Sequence, residues 1–156
     1  MVLPVQAVRG VDGDPDAELA FGLRDRGAGV TWILPRSLDE ALQRSPGLDT
    51  RTRGLAVGTF VAAEVRRIGD PLYGELRRLG TVVDAGVAII PVYAEGVGTE
   101  DGMRAVRFAV AVLHVRTGRV LWFGVVEGEP FPVGDPRGLA SGVDQLARTL
   151  LWYVSG

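Results

Sequence analysis

The stretch from Met103 to Glu129, MRAVRFAVAVLHVRTGRVLWFGVVEGE, leaves this chain few folds to choose from. It reads as two long strands joined by a tight turn at Arg116-Thr117-Gly118, where glycine takes φ > 0 without steric cost. Apolar side chains fall on both faces of each strand. Val106, Phe108, Val110 and Val112 share one face; Ala109, Ala111 and Leu113 share the other. A sheet with one wet face would alternate apolar and polar residues. This pair is therefore expected in the middle of a sheet covered by helices on both faces.

The rest of the chain supplies the helices. Val2 to Val8 reads as a short interior strand. Asp14-Pro15 follows as N-cap and first helical residue, so a helix is expected from Pro15 to about Asp25, ended by Gly27 and Gly29. Val30 to Leu34 reads as a second strand. Ser37 with Glu40 makes a capping box for a helix from Leu38 to Arg44. This opening predicts a parallel strand pair joined by a right-handed crossover. Leu48 to Gly58 reads as a loop carrying Arg51 and Arg53, and Thr59 to Ile68 as a short helix. A second Asp-Pro, at residues 70 and 71, opens a helix to about Asp84, with Leu72, Leu76, Leu79 and Val83 at helical spacing. Val87 to Tyr93 is the next strand, and Pro91, which has no N–H, predicts an edge or a bulge there. Glu95 to Gly102 reads as a polar loop. After the hairpin a third Asp-Pro, at residues 135 and 136, precedes a core-facing stripe of Val143, Leu146, Ala147, Leu150 and Leu151.

With 156 residues the chain is read as a single α/β domain, 1–156, large enough for its own core. A net charge of −2 gives no basic field for nucleic acid. All 17 basic residues are arginine, a pattern that genome composition explains. Cysteine is absent, which removes disulfides, thiol catalysis and Cys-type metal sites. No apolar run approaches the ~20 residues of a membrane span. Met1 stands directly against the first strand pattern. That reads as an excised segment, with any targeting sequence or anchor expected upstream.

No constellation announces chemistry. Asp12, Asp14 and Asp16 alternate, but the glycine and glutamate of a calcium loop are missing: Ala17 and Leu23 stand in their places. Capping is the expected role. The one histidine, His114, lies by the turn with no partner near it in sequence. The serines include no Gly-x-Ser-x-Gly elbow, and no phosphate-binding glycine motif follows the first strand. Glu127 and Glu129 share a strand face, where solvation explains them better than catalysis. The chain is accordingly expected not to be an enzyme and to need no catalytic residue, cofactor or metal.

The hairpin with Thr117, Gly118, Val120 and Trp122, preceded by Asp84-Ala85-Gly86-Val87, resembles a superfamily of bacterial envelope lipoprotein domains. Its members include the amino-terminal domain of TolB, the curli-secretion lipoprotein and the outer-membrane activators of peptidoglycan synthases. The resemblance covers nearly the whole chain in order of elements. It departs from the group after the first strand and in the long, Arg-rich segment from Leu48 to Ile68. The order of elements points to a three-layer α/β fold with a mixed five-stranded sheet, three strands from the crossover units and two from the C-terminal β-hairpin, and a closing helix. The resemblance implies a non-enzymatic protein-binding or scaffolding domain, periplasmic or outer-membrane associated, held to the membrane only through a lipid anchor outside this sequence. The expected partner is an envelope protein or another copy of the chain. Candidate partner-binding residues are Arg51, Arg53, Trp152 and Tyr153, with the loop from Glu95 to Met103 beside them. The alternative is a small-ligand binder or enzyme with its site at the strand carboxyl ends, near Arg9 to Asp14 and Pro35 to Ser37, lined by Asp12, Asp14 and Arg36.

Overall fold

The computed structural model describes residues 1–154. Its elements run β1 (Val8–Arg9), α1 (Pro15–Arg24), α2 (Pro35–Gln43), α3 (Gly58–Ala62), α4 (Leu72–Val83), β2 (Val87–Gly98), β3 (Met103–His114), β4 (Arg119–Glu127), β5 (Phe131–Pro132) and α5 (Arg137–Val154). The sheet has five strands in the order β1-β2-β3-β4, with β5 also on β3. It is mixed: β1 runs parallel to β2, and β5 antiparallel to β3. The three-layer α/β class expected from the sequence is the one adopted.

β4 is an end strand of the sheet order, and Leu121, Phe123 and Val125 on one of its faces are exposed, so only β3 of the hairpin lies in the middle of the sheet as the apolar pattern predicts. Strand membership also differs from expectation in two places. Val30 to Leu34 forms no strand. The Val30 N–H donates to Gly27 O, and the Trp32 indole donates to Arg26 O at 2.8 Å. Those local bonds come with Pro35 opening a helix directly after, and the Val2 N–H to Ile33 O bond links the segment to another part of the chain. The fifth strand is instead Phe131–Pro132. The first segment is also broken. Met1 to Leu3 lies parallel to β2, with Val2 opposite Ile89, and regular pairing resumes at Val8 and Arg9 opposite Ala94 and Glu95. The break sits opposite Pro91. Leu3 donates to Ile89 O but Gln6, not Val5, donates to Pro91 O, so the first segment carries an extra residue there. Pro91 is thus interior to the sheet, and the bulge falls on its neighbour. β2 itself runs on through most of the expected polar loop, to Gly98.

Helix boundaries follow the caps that form. Asp14 accepts from the N–H groups of Asp16 and Ala17 at 3.0 and 3.2 Å, as expected of an N-cap before proline. The capping box at Ser37 is not used. α2 starts earlier, with Pro35 at its first position and no side-chain cap. α3 stops at Ala62, six residues short of the predicted end.

Two compact units emerge. The first comprises residues 1–6, 33–92 and 110–123, and the second residues 7–32, 93–109 and 124–156. In the first, α2 and α4 pack together over Leu38, Leu76, Leu79, Ile90 and Leu113, all at most 1% exposed. In the second, α1 packs on α5, with Leu19, Leu23, Phe108, Leu146 and Leu150 buried. Gly142 of α5 lies so close to β3 that a Cβ there would stand 2.9 Å from Val106 O.

The amino group of Met1 is buried and donates to Val87 O at 2.8 Å. Burial lowers its pKa from 8.0 to about 6. In the 156-residue chain starting at Met1, the unfolded state binds more protons than the folded one between those values, so the stability of that chain rises with pH across the window, by on the order of 2 kcal/mol. Urea midpoints measured from pH 6 to pH 8 check this. Acetylating the amine should flatten the rise.

Candidate functional site

In the first unit the chain leaves α3 and turns Arg66 to Ile68 along the outside of β4. Ile68 N–H donates to Gly118 O at 2.8 Å, and Val120 N–H donates to Arg66 O at 2.9 Å. Between those two bonds Arg67 stands directly opposite Arg119 in an antiparallel bridge. Such a flanked pair brings side chains closest, and like charges opposite each other are unfavourable.

The turn beneath is held firmly. Gly118 has φ +71°, and any Cβ there would press on Tyr73 at 3.0 Å and Ile68 at 3.3 Å. Gly118 N–H donates back to His114 O. Thr117 Oγ1 accepts from the Arg119 N–H and lies 3.0 Å from His114 Nδ1. The Tyr73 hydroxyl donates to Arg116 O at 2.6 Å, and the Arg77 guanidinium lies 5.7 Å from the centre of the Tyr73 ring. His114 is therefore a turn-fixing residue, and α4 reaches the same end of the unit as the hairpin.

Arg66, Arg67 and Arg119 lie along this bridge, while Arg77 and Arg116 line a second open cleft of about 350 Å³ together with Asp84; all five arginines are exposed. Among the described residues none of the five forms an ion pair, whereas Arg26, Arg36, Arg78, Arg107, Arg137 and Arg148 all do. The first unit holds ten arginines against seven carboxylates, a net +3; the second holds seven against twelve, a net −5. The chain's overall −2 hides this division. Beside Arg67 an open cleft of about 380 Å³ is lined by Thr59, Val65, Ile68, Asp70, Pro71 and Leu72. Apolar groups lie near the charges: Val61 is 64% exposed and Leu121 46%, and Phe123 stacks on Phe60 with ring centres 5.8 Å apart.

The residues singled out from the sequence fall elsewhere. Arg51 and Arg53 are exposed on a pinned loop of the first unit. Thr52 between them is only 5% exposed and donates to Asp39 Oδ1, Thr50 donates to Glu75 Oε2, and Gln6 Nε2 donates to Thr52 O. Trp152, 80% exposed, and Tyr153 belong to α5 in the second unit. Asp12 accepts from Gly134 N–H, Asp14 caps α1, and Arg36 pairs with Glu40 along α2. The space beside Gly10 and Asp12 is about 20 Å³, room for roughly one water. Glu127 is tied to Arg107. Sequence reasoning missed Arg66, Arg67 and Arg119. The available signal was the Arg-Arg pair at 66–67 and the arginines flanking the turn at 116 and 119.

No protein-family model matches the chain, and no curated protein matches it. Solved structures do. The C-terminal domain of LpoB from Escherichia coli is 17% identical, with a TM-score of 0.47 over 83% of this chain and 80% of that one. The Salmonella enterica LpoB domain is also 17% identical, with a TM-score of 0.44 over 81% and 78%. Lipoprotein GNA1162 from Neisseria meningitidis is 14% identical, with a TM-score of 0.47 over 96% of both chains. Likeness this distant says nothing of activity or partner.

Proposed function

We propose that the chain is a non-enzymatic protein-binding domain of a bacterial envelope lipoprotein, acting through surface complementarity. The observation that carries this reading is the hairpin end of the first unit. Arg67 and Arg119, neither in an ion pair among the described residues, face each other there with exposed apolar side chains nearby, beside a turn fixed by Tyr73, Thr117 and Ile68. Rigid presentation of arginine and aromatic groups is what a protein interface uses. The residues of the alternative pocket, by contrast, are already engaged in caps and helix pairs. Localisation follows the same reading: periplasmic, at the outer membrane, through an acylated segment upstream.

Fractionation of the native host, following the full-length protein by antibody with intact mass on the membrane fraction, tests the reading. Recovery from the outer membrane with an acylated amino terminus is the expected result. A cytosolic protein of unprocessed mass would overturn it.

A further inference from the structure

We infer that the Arg67–Arg119 apposition and the cleft beside it form a docking surface for an extended, acidic segment of a partner protein. This deepens the protein-binding reading and rests on it. Arg67 and Arg119 stand opposite each other across a bridge, and among the described residues no carboxylate pairs with either, so the like charges are left unrelieved there. The chain offers guanidinium forks and no lysine. Planar forks match carboxylates with two parallel hydrogen bonds each.

Geometry separates the possible polyanions. The cleft of about 380 Å³ starts at Arg67 and has Val65, Ile68, Pro71 and Leu72 in its walls, with one carboxylate, Asp70, that accepts from the Gly74 N–H at 3.0 Å. A side chain of an extended peptide enters such a space, whereas the flat face of a bilayer stays outside. The apolar surface of Val61, Leu121 and Phe123 suits alternating acidic and apolar side chains better than a run of phosphates. The occupant is therefore a protein strand or tail rich in Asp and Glu with interleaved apolar residues.

The test titrates four probes: a fluorescent Glu/Val-alternating peptide, its Gln/Val counterpart, phosphatidylglycerol vesicles and single-stranded DNA. Each is added to the parent chain, to the R67E/R119E double variant and to an R9E/R44E double variant. The last carries the same change of charge at two exposed arginines outside the surface. The acidic peptide should bind the parent, weaken steeply with salt and lose at least tenfold in affinity with R67E/R119E. R9E/R44E should change it less than twofold, and the Gln/Val peptide should not bind. Melting curves verify folding, since both reversals sit on exposed side chains. Equal losses in the two double variants would overturn the inference in favour of a general charge effect. Vesicles or DNA binding as tightly as the peptide would overturn it in favour of those anions. A host partner crosslinked equally well by the R67E/R119E variant would sink this surface and leave the protein-binding reading standing. Peptide binding with no host protein crosslinked would do the reverse.

Discussion

Phe108→Ala should destabilise the chain by about 3–5 kcal/mol, the usual cost of removing a buried aromatic side chain. Phe108 is 0% exposed at the middle of β3. Its ring edge is 3.3 Å from where a Cβ on Gly142 would sit, so it fills the space against α5. The cavity has little means of collapsing. β3 is held on both sides by strands, and α5 is already backbone-close to Val106. At roughly 2–4 °C per kcal/mol for a chain of this size, the melting temperature should fall by about 6–20 °C. A loss under 1 kcal/mol in urea titration would mean that α5 does not pack as described.

Gly128→Ala should cost about 3 kcal/mol by the opposite route. A Cβ at Gly128 would run into the Gly142 amide nitrogen and would lie 2.7 Å from both the Gly142 Cα and the Ser141 carbonyl carbon. These are backbone atoms of α5, and no rotamer change moves them. The neighbouring Glu129 N–H donates to Ser141 Oγ at 2.8 Å, which fixes the end of β4 to the helix at the same place. The substitution therefore forces the helix off the strand end and strains the packing of Gly142 on Val106, at the upper end of the usual cost of overpacking. Gly86, where a Cβ would meet nothing within 4 Å, makes the control. Alanine there should cost less than half as much. Equal effects at the two positions would show that backbone freedom, and not close approach, is what Gly128 supplies.

Those two sites also show what was legible in the sequence. Phe108 was placed in the core from the double-sided apolar pattern of β3 alone, and the α5 stripe from its 3.6-residue period. Asp14-Pro15 was read as a helix start because cap chemistry is local. The failures were all contests between local preference and longer-range structure. Val30 to Leu34 has β-branched and aromatic residues, but the indole of Trp32 and the N–H of Val30 satisfy themselves nearby, so no ladder forms. Ser37 offers a cap, but Pro35 has already opened α2. Gly128 meeting Gly142 is a contact between segments, with no period to reveal it.

The candidate site was illegible for the same reason. Arg66 and Arg67 read as the end of a helix that stops at Ala62, and their partner across the bridge lies far along the chain. The net charge pointed away from a cationic surface, because the carboxylates of the second unit outweigh the arginines of the first. Arg51 and Arg53 sit on a loop, as the polar, glycine-containing pattern of Leu48 to Gly58 predicts. The hydrogen bonds of Thr52, Thr50 and Gln6 that pin this loop cross from one segment to another and leave no mark on local pattern.

The central claim is that the hairpin end of the first unit meets another protein. The measurement that tests it most directly is photo-crosslinking in the native host from a photoreactive residue at Glu64, exposed and two residues from Arg66, beside an identical probe at exposed Gln145 on α5. A discrete protein adduct from position 64, lost with R67E/R119E and absent from position 145, is the predicted result. No adduct from position 64, or the same adduct from both positions, would contradict the account.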